Sequence, residues 1–117
     1  MEMIVVKSKI KEVVNGCNVS GDMAEALNTK AIAEVKDAGN RAKANNRKTI
    51  QAKDFFVGET TAKVMLVVKS KVKSVAGDCN MSGDSADALN EILVHFVGQA
   101  AARAEANGRK TVGARDL

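Results

Sequence analysis

The sequence predicts an all-α protein made of two similar helical units that cover one another in one compact domain. Three observations predict it. The 117 residues contain no proline and only 3% aromatic residues, all phenylalanine, whereas all-β domains lean on turn prolines and on aromatic and β-branched packing. Apolar residues recur at spacings of three and four, the period of a helix with one buried face. Shifting the chain against itself by 62 positions lays residues 3–55 over 65–117 without a gap, with 28 identities in 53 pairs. A unit of about 53 residues buries little alone, and two are fewer than the three or more of a solenoid, so the halves are expected to pair. The units are assigned to residues 1–58 and 59–117.

Each unit reads as a short helix, a loop, a long helix, a second loop and a stub. In the first short helix Met3, Val6, Ile10, Val13 and Val14 share a face, and Met65, Val68, Val72, Val75 and Ala76 repeat the stripe. Lys7 and Lys11 flank one edge of it, and Lys9 the other. Asn15, Gly16 and Asn18 break that helix. Ser20 is the expected N-cap of the long helix, with Asp22 in the first turn, where the helix dipole favours negative charge; Ser82 and Asp84 repeat the arrangement. The long helix carries Ala24, Leu27, Ala31, Val35, Ala38 and Ala42 and ends near Ala44 or Asn45. Its roughly 24 residues extend about 36 Å, more than short neighbours can cover, so it requires a partner of equal length. The copy over residues 83–107, with Leu89, Ile92, Leu93, Phe96, Val97 and Ala100, supplies the bulk that the Ala-rich first copy lacks.

Composition excludes several functions. Charged residues at 27% and hydrophobic ones at 45% are globular values, and no apolar stretch approaches the roughly 20 residues that span a bilayer. The apolar run 3–6 is too short for a secretory signal, so a cytoplasmic location is expected. Cys17 and Cys79 are too few for a disulfide framework and lack partners at metal-ligand spacing. With one histidine, His95, and no phosphate-binding glycine loop, nothing assembles a nucleophile and base; no catalytic, cofactor or metal residues are assigned. Eighteen basic against fourteen acidic residues give +4, which favours an anionic partner. Three phenylalanines cannot build the stacking platforms that single-stranded nucleic acid requires.

The best-matched stretch closes each unit: Asn45, Arg47, Lys48, Thr49, Ala52 and Asp54 repeat as Asn107, Arg109, Lys110, Thr111, Ala114 and Asp116. A short helix, a loop with Val-Ser or Met-Ser, a long helix, then Asn-Arg-Lys-Thr-Ile or Gly-Arg-Lys-Thr-Val with an Asp five residues after the Thr resembles a histone fold present twice. It is most similar to the tail-less histones of archaea and bacteria. The resemblance implies two histone-fold units, each with a truncated third helix, paired head to tail as a single-chain handshake pseudodimer. It implies that Arg47 and Arg109 pair with Asp54 and Asp116 to brace the second loops. It also implies a DNA-binding set of Lys9, Lys11, Arg47, Lys48, Thr49, Lys71, Lys73, Arg109, Lys110 and Thr111, directed at phosphates. Such contacts hold the backbone without reading bases.

Where archaeal relatives often carry an arginine in the first loop, this chain has Asn18 and Asn80. Ala44 and Ala106 occupy positions where a histidine supports dimer-to-dimer contacts there. These departures speak against minor-groove insertion from that loop and against long stacked fibres, leaving at most weak self-association on DNA. The expected function is sequence-independent binding and bending of double-stranded DNA by a nucleoid-associated, monomeric chain. The alternative is a histone-fold protein-interaction module with little DNA affinity. The same basic positions occurring twice favour DNA.

Overall fold

The computed structural model describes residues 2–14, 16–55 and 60–117. Asn15, Phe56 and the boundary between residues 58 and 59 lie outside the described residues. One order of elements occurs twice. The first half runs α1 (Lys7–Val13), β1 (Asn18–Val19), α2 (Gly21–Ala44), β2 (Thr49–Ile50) and a 3₁₀ turn, Ala52–Phe55. The second runs α3 (Lys69–Ser74), β3 (Asn80–Met81), α4 (Ser85–Ala106), β4 (Thr111–Val112) and a 3₁₀ turn, Ala114–Asp116.

Each two-residue strand finds its partner in the other half. β1 pairs in parallel with β4, Asn18 opposite Thr111, and β2 pairs in parallel with β3, Thr49 opposite Asn80. The first loop of one half and the second loop of the other therefore form a corner, and there are two such corners. Between them runs one core. Ala24, Leu27, Ala31, Val35, Ala38 and Ala42 of α2 are fully buried, as are Leu89, Leu93, Val97, Ala100 and Ala104 of α4. The small side chains of α2 admit the larger ones of α4, which is how helices of unequal bulk reach interior packing density. Lys30 of α2 covers the ring of Phe96 at 5.3 Å. Among the described residues, no helix is long and apolar enough to cross a membrane.

Two local expectations are corrected. Met3, Val6, Met65 and Val68 do not belong to the short helices, which begin only at Lys7 and Lys69. The preceding residues are extended: Val5 and Val67 form an antiparallel bridge, the Val6 N–H donating to the Leu66 carbonyl at 2.6 Å and the Val68 N–H to that of Ile4 at 2.9 Å. β-branched side chains in the run Ile4, Val5, Val6 resist helix, and a buried amide rewards the extended form. Asn28, fully buried in α2, accepts the Ile4 N–H at 2.8 Å and donates to the Glu2 carbonyl at 2.8 Å; Asn90 of α4 does the same for Leu66 and Val64, at 2.6 and 2.8 Å.

The second correction concerns helix starts. Ser20 is the N-cap residue of α2, but its hydroxyl donates to the Asp22 carboxylate and does not accept a backbone N–H of the helix. α4 begins at Ser85, with Asp84 as N-cap, and not at Gly83. Ser85 replaces the Met23 of the other half; its buried hydroxyl donates to the Ser82 carbonyl at 2.6 Å, drawing residues 82–85 into a turn.

Candidate nucleic-acid interface

The second loops are built from the ends of the long helices. After α2 the chain closes with the Asn46 N–H on the Lys43 carbonyl at 3.0 Å and the Arg47 N–H on that of Ala42 at 2.8 Å; Gly108 and Arg109 repeat both bonds at 3.0 and 2.9 Å. This double closure needs a left-handed residue after the C-cap, supplied by Asn46 at φ 59° and Gly108 at φ 71°. It delivers Arg47 and Arg109 to the same place in each half.

There each arginine meets an aspartate seven residues on. Arg47 places Nη1 and Nη2 at 2.9 and 2.7 Å from the two carboxylate oxygens of Asp54, whose Oδ2 also accepts the Gln51 N–H at 2.8 Å. Arg109 and Asp116 meet at 2.8 and 2.6 Å, with the Gly113 N–H at 2.8 Å. Both carboxylates are buried, so the forked donor geometry and the third hydrogen bond are what keep them charged. The Arg47 fork holds the Asp54 carboxyl below its ordinary value against the opposing effect of burial, and the Arg109 fork with the Gly113 N–H lowers Asp116 to about 2. Arg41 and Arg103 reach from the long helices to the carbonyls of Asp54 and Asp116, each at 2.7 Å. The arginines of the second loops are thus spent largely on holding the loops.

The neighbouring lysines are not. Lys48 and Lys110 are exposed, while their carbonyls accept the N–H groups of Asn80 and Asn18, each at 2.7 Å. The backbone of each lysine is fixed by the other half of the protein, and the ammonium is free to project. Thr49 and Thr111 follow in β2 and β4, Thr49 half-buried and Thr111 exposed. At one corner, Lys110 and Thr111 line an open hollow with Ser20 and Arg115, next to the start of α2. At the other, Lys53 and Gln51 line a hollow with Ser82 and Asp84 beside the start of α4. Helix starts carry partial positive charge.

Lys9, Lys11, Lys71 and Lys73 are all exposed on the short helices. Lys9 forms an ion pair with Glu12 at 3.2 Å. Asp22, close to Arg115, keeps its charge through the Ser20 hydroxyl and the Ala114 N–H. Among the described residues, no three of His, Cys, Asp and Glu gather as metal ligands, and His95 is exposed on α4. Cys17 and Cys79 are free and buried. Sequence reasoning did not single out Asn28, Asn90, Arg41 or Arg103. Their signal was present: each is identical in both copies, and the asparagines interrupt apolar stripes.

No family model matches the chain, and no curated protein matches it in sequence. Its fold has a solved counterpart. The structure superposes on the crystal structure of the histone from Methanopyrus kandleri with a TM-score of 0.65, over 96% of this chain and 89% of that one, at 20% sequence identity. The chain has the histone fold.

Proposed function

We propose that this chain is an architectural protein that binds double-stranded DNA through its phosphates, without regard to sequence, and bends it. In this reading residues 1–58 and 59–117 are two histone-fold units paired head to tail as a single-chain pseudodimer, acting on a prokaryotic nucleoid without catalysis, cofactor or metal. The observation that carries it is the repeated corner. Each has an exposed lysine whose backbone is clamped by the opposite half and whose neighbour is a threonine, beside the start of a long helix. Lysine ammonium groups, hydroxyls and helix-start N–H groups are the donors that hold phosphates, and none reads a base.

In this reading the two corners and the exposed lysines of α1 and α3 present an arc of cations to one duplex. A duplex following that arc bends. Smooth bending of 20 to 30 base pairs by 40 to 90° costs about 1 to 6 kcal/mol, which several phosphate contacts offset. The test is a gel-shift titration of random duplex against single strand at several salt concentrations. If about six phosphates are neutralised, the log-log salt slope is near −5. A slope near −1, or a preference of more than about tenfold for one duplex sequence, contradicts a backbone-phosphate binder.

A further inference from the structure

Resting on that duplex-binding reading, we propose that Lys43 is a further phosphate-contacting residue and that the two corners hold a duplex unequally, the Lys48 corner more firmly than the Lys110 corner. The internal repeat supplies the comparison. Positions 43 and 105 match at the ends of the long helices, and positions 16 and 78 match in the first loops. Pairing between halves brings the end of α2 to the loop before β3, and the end of α4 to the loop before β1.

At the Lys48 corner the Lys43 ammonium lies 3.2 Å from the Asp78 carboxylate, and both residues line one open hollow with Lys48 and Cys79. The side chains of Lys43 and Asp78 are 56% and 83% exposed. An ion pair so open to water is held weakly, and a phosphate can take the place of the carboxylate. At the Lys110 corner Glu105 stands where Lys43 would be, its carboxylate accepting the Cys17 thiol at 3.5 Å, and Gly16 stands where Asp78 would be.

The exchange of Lys43 for Glu105 makes the Lys48 corner two charges more positive, and Asp78 against Gly16 takes one back. The arrangement matters more than the total. One corner offers two ammonium groups against a single, water-exposed carboxylate in one hollow. The other sets a carboxylate beside Cys17, whose neighbour Asn18 donates its N–H to the Lys110 carbonyl at 2.7 Å. A carboxylate at that corner opposes a phosphate drawn to it, by an amount that salt screening reduces.

The test uses the full chain and a random duplex of about 25 base pairs, a length within the bending range above. Lys43→Glu is expected to weaken binding about tenfold and make the salt slope shallower by about one, and Glu105→Lys to do the reverse. Lys30→Glu makes the same charge change about 140° around α2 from Lys43 and is expected to shift affinity less than about twofold. Asp78→Ser, which frees Lys43, is expected to strengthen binding and provides a second reading should Lys43→Glu disturb folding, which circular dichroism reports. If the unmodified chain does not bind duplex, the proposed function itself fails. If it binds, but the variants at positions 43, 78 and 105 change the slope no more than Lys30→Glu does, the unequal grip alone is overturned.

Discussion

The Asn28 side-chain carbonyl accepts the backbone N–H of Ile4 at 2.8 Å across 24 residues of sequence, inside a helix face that is otherwise apolar. A second contact, to the Val5 N–H at 3.3 Å, and the donation to Glu2 make this one amide the anchor of the extended segment before α1.

Asn28→Ala should therefore destabilise the protein more than an exposed substitution does. It leaves buried backbone groups without partners, a loss of about 1–3 kcal/mol. Urea denaturation measures it. Asn28→Asp retains the acceptor but sets a buried, unpaired carboxylate against the Glu2 carbonyl, and should cost at least as much as Asn28→Ala. Equal stability of Asn28→Ala and the unmodified chain would remove the anchoring role.

Acid should weaken the loop braces in a defined window. The carboxyl of Asp116 lies at about 2 in the folded protein against an ordinary 3.8, and that of Asp54 is also lowered. A group lowered on folding contributes stability that is fully present above its unfolded value and is lost as pH falls through the folded one. Thermal melting temperatures should change little from pH 7 to pH 5 on this account and fall between about pH 4 and pH 2. Asp116→Asn should melt lower at pH 7 and show a flatter fall across that window.

Residues 1–58 alone should not form a folded monomer. β1 and β2 lose β4 and β3, and the apolar face of α2 loses α4. Circular dichroism and sedimentation should report an unfolded peptide, or a self-associated one at high concentration. A folded monomeric half would contradict the mutual covering of the two units.

Replacing Lys48 and Lys110 together with alanine should weaken duplex binding about tenfold or more, alike on all sequences, and make the salt slope shallower by about two. Both side chains are exposed, so the melting temperature should stay nearly unchanged. Arg47→Ala should lower binding and melting temperature together, because it frees the buried Asp54 carboxylate from its fork.

Energy transfer between the ends of a short labelled duplex should rise at one protein per site, as the ends approach. An unchanged end distance at saturation would indicate straight coating, and protection growing in regular steps would indicate stacking of particles. Either outcome is incompatible with bending by a single chain.

The helical class, the twofold repeat and the two long helices follow from residue order alone, because helical spacing and internal identity are written in it. It also carried the second loops, since the closure after each long helix is local: Asn46 and Gly108 turn the chain, and Arg47 and Asp54 lie only seven residues apart. The tertiary structure decided what depends on distant partners. Residues 3–6 satisfy a helical stripe as written, yet they are extended, because the Asn28 amide and the Leu66 carbonyl from elsewhere in the chain supply bonds that a β-branched helix start could not. α4 starts late because a buried Ser85 hydroxyl needed the Ser82 carbonyl. The difference between the corners is tertiary in the same sense. Lys43 and Asp78 are 35 positions apart in sequence, and only the crossed pairing of loops places their charges 3.2 Å apart.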